Sequence, residues 1–130
     1  MRDRGFALLE VIVAAALLVA LAAGVSRVVA AAVREGYASR LRAVATIAAG
    51  DKTEELRSLS PADLASGTDY LDAAGESIGS GIPAPQSAVY LRRWTVQPLD
   101  GDPDVFALSV DVFTRDGSHS AGVTTVRAAR

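Results

Sequence analysis

The chain has no cysteine among its 130 residues, which excludes disulfides, zinc–thiolate sites and thiol catalysis together. Aromatic residues are scarce, 5% against 50% hydrophobic overall, because the apolar content is mostly alanine and valine gathered before residue 50. The mean hydropathy of +0.26 therefore belongs to the N-terminal stretch and not to a rich globular core. Basic charge is not in excess either. The formal net charge is −2, and no basic stripe with interleaved aromatics gives phosphate an electrostatic footing, which argues against nucleic acid as a partner. No proline precedes Pro61, so none interrupts a helix before it. With a membrane segment of about 25 residues set aside, the remainder suffices for one small soluble domain and not for a large enzyme core.

What is present, first of all, is a long apolar run. Phe6 to Val25 reads FALLEVIVAAALLVALAAGV, twenty residues with Glu10 as the only charge. As a helix this is roughly 30 Å, enough to span a bilayer. An ionised carboxylate in hydrocarbon costs at least about 2.5 kcal/mol, so Glu10 is a functional-site candidate that requires a cationic partner. The alternative is that Glu10 merely lies at headgroup level.

A cleavable secretory signal can be read from Arg2, Arg4 and the small-residue stretch Ala20-Leu21-Ala22. Glu10 weakens that reading, and so does the apolar run that resumes after Arg27 as Val28-Val29-Ala30-Ala31-Ala32-Val33. A plain uncleaved anchor leaves the acid unexplained. A third reading rests on Arg4-Gly5-Phe6 followed by Leu8-Leu9-Glu10, which resembles the leader and cleavage site of the type IV prepilins. These have a short basic leader ending in glycine, phenylalanine first in the mature chain and glutamate fifth. Ala7 departs from the threonine common at that position. The resemblance implies cleavage after Gly5 by a prepilin peptidase on the cytoplasmic side, and N-methylation of Phe6. A free α-amine is cationic at neutral pH, so cleavage creates the partner that Glu10 lacks. Phe6 and Glu10 are four apart and share a helix face, and the resemblance implies that Glu10 pairs with the terminus of a neighbouring subunit.

Orientation is contested by the charges. Arg2 and Arg4 precede the span, but Arg27, Arg34, Arg40 and Arg42 follow it, and counted naively they put the C-terminus in the cytoplasm. The resemblance requires the opposite, with the leader inside and the domain outside.

Beyond the span, alanine, leucine and arginine dominate to Leu59, so the helix is expected to run on, with Gly24, Gly36 and Gly50 as places where it can bend. Leu41, Val44, Ala45, Ala48, Leu56 and Leu59 fall on one face, with Arg42, Thr46, Thr53 and Arg57 opposite. Ser60-Pro61-Ala62-Asp63 opens a short helix that Gly67 ends, and Thr68 to Ser87 is expected to be loop. Strand-like runs follow at Val89–Val96, Val105–Thr114 and Val123–Ala128, with Arg115-Asp116-Gly117-Ser118 as a hairpin turn and Pro98 to Asp104 as a loop. The expected fold is α+β, pilin-like: one long N-terminal helix packed on a three-stranded antiparallel meander. Its segments are a leader (1–5), the membrane and assembly half of the helix (6–33), its amphipathic half (34–60), a variable short helix and loop (61–88) and the sheet (89–130). Arg92-Arg93-Trp94-Thr95-Val96 further resembles the first strand of PilV-type minor pilins.

Few other residues carry chemistry. Asp100, Asp102 and Asp104 alternate and are candidate Ca²⁺ ligands, since some pseudopilins bind calcium in a C-terminal loop, but no glutamate completes an EF-hand spacing and such residues form ordinary turns. His119, the only histidine, reads as an exposed loop residue, and Trp94 as core or interface. No motif organises Ser, His and Asp into a triad. The expected protein is not an enzyme and needs no cofactor. It is a structural subunit of a type IV pilus-like filament, a PilV-type minor pilin acting in assembly initiation or at the tip, with other pilins, prepilin peptidase and the bacterial inner membrane as partners. The alternatives are an I-type pseudopilin of a type II secretion system, suggested by Glu55-Leu56-Arg57, and a single-pass anchor for a small binding domain.

Overall fold

The computed structural model describes residues 3–99 and 102–128. Helix α1 (Asp3–Ser58) is followed by a single 3₁₀ turn (Pro61–Asp63) and by strands β1 (Gly67–Leu71), β2 (Ser77–Gly79), β3 (Tyr90–Leu99), β4 (Asp102–Thr114) and β5 (His119–Ala128). Two compact units divide the chain, residues 1–38 and 39–130. In the first, α1 is the only element, and it stays helical through Gly24 and Gly36.

The second unit is built on a helical stripe. Ala45, Ala48, Ala49, Lys52, Thr53 and Leu56 recur at intervals of three and four, and all six are buried. Thr53 was expected on the opposite face. Its hydroxyl instead donates to the Ala49 carbonyl at 2.8 Å, within its own helix, so a small polar group is buried without an orphaned donor. The three alanines leave space for larger groups from the sheet, and the core is completed by Leu71, Tyr90, Leu108, Val110 and Val112. Leu108, Val110 and Val112 are the inward residues of β4, as their alternation with Ser109 and Asp111 predicts.

The sheet is antiparallel throughout and has five strands, in the order β2-β1-β3-β4-β5. The expected three-stranded meander is present as β3, β4 and β5, but the segment expected to be loop supplies a further hairpin. Gly67 does not end a helix. It opens β1 opposite Trp94, and a Cβ there would overlap the indole. The strand was obscured because Asp69, a residue ordinarily read as loop-forming, occupies one of its inward positions beside Leu71. Asp72 then closes the turn, its Oδ1 accepting the Ala74 and Glu76 N–H groups at 2.8 and 3.0 Å. The helix expected after Ser60 shrinks to the 3₁₀ turn, in which the Ser60 hydroxyl meets Asp63 Oδ2 at 2.6 Å. The loop expected from Pro98 to Asp104 also contracts, because β3 continues to Leu99 and β4 begins at Asp102.

Burial of Asp69 is made possible by Arg92. The guanidinium donates through Nε to Oδ1 at 3.0 Å and through Nη2 to Oδ2 at 2.6 Å, a two-point pairing with both side chains 9% exposed. Nη1 reaches the Ala48 carbonyl of α1 at 3.0 Å, and the Ser77 hydroxyl gives Oδ2 a further bond at 2.9 Å. One cluster thus joins α1, β1, β2 and β3. Removing one member of a buried pair leaves the other charge desolvated, which costs about 3–5 kcal/mol. Arg92→Met should therefore lower the unfolding free energy of the second unit by an amount of that order, seen as a lower urea midpoint with Trp94 fluorescence in the full-length chain in micelles. Adding Asp69→Leu should recover most of the loss, and equal stability of the single variant and the wild type would show that the pair is not structural.

The β4–β5 turn is held by a second polar group. The Gly117 N–H donates to the Thr114 carbonyl at 2.8 Å with Gly117 at φ 85°, the left-handed position that glycine takes without strain. Asp116 accepts from the Thr114 hydroxyl, from the Ser118 N–H at 3.0 Å and from the Ser118 hydroxyl at 2.8 Å. These bonds favour the carboxylate, the Thr114 hydroxyl most, and pull its pKa from the ordinary 3.8 to about 2. A depressed carboxylate stabilises the fold fully above its unfolded value, and the contribution disappears as the pH falls through the folded one. The Asp116 carboxyl carbon should thus titrate by NMR with a midpoint of about 2, and Asp116→Asn should remove that part of the acid sensitivity. A midpoint at the ordinary value would show that the turn does not hold the ionised form.

Candidate functional site

The described surface of the first unit is mostly apolar. Every residue from Ala7 to Tyr37 is exposed, including Leu8, Leu9, Val11, Ile12, Leu17, Leu18 and Leu21. The helix contains an 18-residue window of mean hydropathy 2.6, so it is long and apolar enough to cross a membrane by length and composition. Water is a poor solvent for such a surface, and its burial in lipid or against other helices is strongly favourable.

Gly5 and Phe6 lie within the first two turns of α1, and the Phe6 side chain falls outside the described residues, as do Met1 and Arg2 of the expected leader. Glu10 lies one helical turn beyond Phe6, exposed, beside a shallow apolar groove formed with Leu9, Val13, Ala14 and Leu17. Among the described residues, no cation is paired with it; the ion pairs found are Lys52–Glu55, Arg57–Glu54 and Arg92–Asp69, and His119 is within hydrogen-bond distance of Asp111. A lone carboxylate on an apolar helix can orient an association by accepting hydrogen bonds from a cationic group.

The remaining candidates do not converge. Asp100 lies outside the described residues. Asp102 opens β4 with its side chain undescribed, and Asp104 is exposed further along the same strand. Two of the three thus belong to a strand and not to the expected loop. Among the described residues, no group of three or more His, Cys, Asp or Glu side chains is placed to hold a metal ion. His119 is exposed but is the first residue of β5 rather than part of a loop. Its Nε2 lies 3.1 Å from Asp111 Oδ1, and a Cβ at Gly122 would stand 2.7 Å from that oxygen, so the glycine makes room for the pair. Trp94 borders the core as expected. Its Nε1 donates to the Ala65 carbonyl at 2.8 Å, and the Lys52 ammonium lies 4.1 Å from the centroid of its ring.

Sequence reasoning missed the Asp69–Arg92 pair. The available signal was Arg92 itself, a charge at the same parity as inward-facing Tyr90 on β3, which requires an acid on a neighbouring strand. Nothing in the spacing indicated which acid.

Residues 1–26 match the family model described as the prokaryotic N-terminal methylation motif. No curated protein and no solved structure matches the chain.

Proposed function

We propose that this chain, whose residues 1–26 match the prokaryotic N-terminal methylation motif, is a type IV pilin-like prepilin that serves as a minor pilin of a pilus-like filament, acting where assembly starts or at the tip. The motif implies processing by prepilin peptidase and assembly into a filament of this kind. The observation that carries the reading is Glu10, a carboxylate without an ion-pair partner among the described residues, on an exposed apolar helix within the matched residues. Cleavage between Gly5 and Phe6 gives a methylated, cationic amine at Phe6, and Glu10 accepts the amine of the next subunit to enter. Its pairing sets axial register, because only one stagger satisfies both charges in a medium that cannot solvate either. The leader is cytoplasmic, the helix is held in the inner membrane, and residues 39–130 are periplasmic until the subunit leaves the bilayer. The role is structural. It requires no catalytic residue and no cofactor, Ca²⁺ included.

A pseudopilin role uses the same motif and the same charge pair. The Glu55-Leu56-Arg57 phrase that suggested it is accounted for by packing, since Leu56 is a core residue and Glu55 bonds the Lys52 ammonium at 2.7 Å.

Mass spectrometry of the chain purified from membranes should give a mature protein that begins at N-methyl-Phe6; an intact leader would remove the filament reading. Glu10→Ala should be processed to the same terminus yet enter filaments about tenfold less, the order expected for loss of a charge-assisted bond. Incorporation of that variant at the wild-type level would show that the carboxylate is dispensable.

A further inference from the structure

On the sheet face turned away from α1, Tyr70, Leu91, Phe113 and His119 stand in register across β1, β3, β4 and β5. The Phe113 and His119 rings meet edge to face with centroids 5.4 Å apart, and the Arg93 guanidinium lies over Phe113, 5.8 Å from its centroid. Between Tyr70, Leu91 and Phe113 of this row, the loop before β3 and the β4–β5 turn is a cavity of about 370 Å³. That is ligand-sized, and its walls are largely apolar, with Ala84 and Val89 contributed by the loop. Two residues before Ala84, Ile82 is 97% exposed, an isoleucine standing in water near an apolar hollow.

Positive charge frames the hollow and is not neutralised locally. Among the described residues, no carboxylate pairs with Arg93. Asp111, opposite it in register, is taken by His119 at 3.1 Å and by the Ser109 hydroxyl at 3.4 Å. Arg115 gives one Nη1 bond to the Gln86 carbonyl at 3.0 Å, and the nearby Asp116 is turned onto Thr114 and Ser118. Two guanidiniums therefore edge an apolar cavity in a chain of net charge −2.

We propose that this cavity binds an extended peptide segment of a partner protein, one that places an aromatic or branched apolar side chain in the hollow and an adjacent carboxylate against Arg93 and Arg115. The volume admits a side chain or two and no folded element. The aromatic floor favours a flat or bulky apolar group, and guanidiniums bind carboxylates through two parallel bonds that also set orientation. An apolar anchor beside an arginine is the arrangement in which a few residues supply most of an interface's affinity. The site lies wholly within residues 39–130 and does not depend on assembly through the N-terminal helix.

The test uses the full-length, isotope-labelled chain in micelles, with two probes: N-acetylated, C-amidated Gly-Phe-Glu-Gly and its Gly-Phe-Gln-Gly counterpart. The glutamate peptide should shift the amide resonances of Tyr70, Leu91 and Phe113 in a saturable way and bind about tenfold more tightly than the glutamine peptide. Arg93→Gln and Arg115→Gln should each bring the glutamate peptide to the affinity of the glutamine one, whereas Arg57→Gln, outside the cavity, should leave it unchanged. Equal affinity for the two peptides, or no saturable shift with either at millimolar concentration, would overturn the proposal. So would shifts at the same amides on raising protein concentration alone, which would assign the cavity to a second copy of this chain.

Discussion

The bond on which the second unit depends is the one between Arg92 and Asp69. An arginine presents five N–H donors in a fixed plane and cannot release its proton, so burying it demands partners for all of that plane. Asp69 on β1 takes one edge of the fork, and the Ala48 carbonyl of α1 takes an Nη1 hydrogen. That carbonyl can accept because a peptide oxygen has a second lone pair beyond its helical bond. A one-residue slip of β1 against β3 would carry Asp69 to the other face and leave Arg92 desolvated and unpaired. The pair thus specifies register, while the surrounding apolar residues supply most of the driving force.

Packing around the cluster follows from residue size. Ala45, Ala48 and Ala49 keep one side of the helix small, and the sheet answers with Tyr90, Leu71, Leu108, Val110 and Val112. Toward the end of α1, Lys52 is drawn into the same stripe because its stem packs while its ammonium is held between Glu55 and the Trp94 ring. The opposite face of the sheet follows different rules. There an aromatic row and two arginines face solvent, and the nearby carboxylates of Asp111 and Asp116 are committed to His119, Thr114 and Ser118.

Residues 7–37 present the reverse situation, with every side chain exposed and nearly all apolar. A surface like this is stable only where the solvent is hydrocarbon or another helix of the same kind. In that setting Glu10 is the group that distinguishes one position from another, because lipid-facing alanine, valine and leucine make interchangeable contacts and a carboxylate does not.

The N-terminal half was legible in the linear sequence because everything that defines it is local: a long apolar run, the arginines before it, a glycine–phenylalanine step and a glutamate four residues on. Strand β4 was legible for a similar reason, since a period of two marks a face whatever the strand pairs with, and β3 and most of β5 were legible as runs rich in β-branched and aromatic residues. Tertiary structure alone decided β1 and β2. Asp69 reads as a turn residue until Arg92, 23 positions away in the chain, neutralises it, and Gly67 reads as a stop until Trp94 covers it. The cavity on the outer face was decided in the same way, since its residues come from three strands, a loop and a turn that acquire a common surface only when the register of the sheet is set. Local pattern determines which segments are apolar and how they repeat; which charges can be buried depends on partners that folding alone brings together.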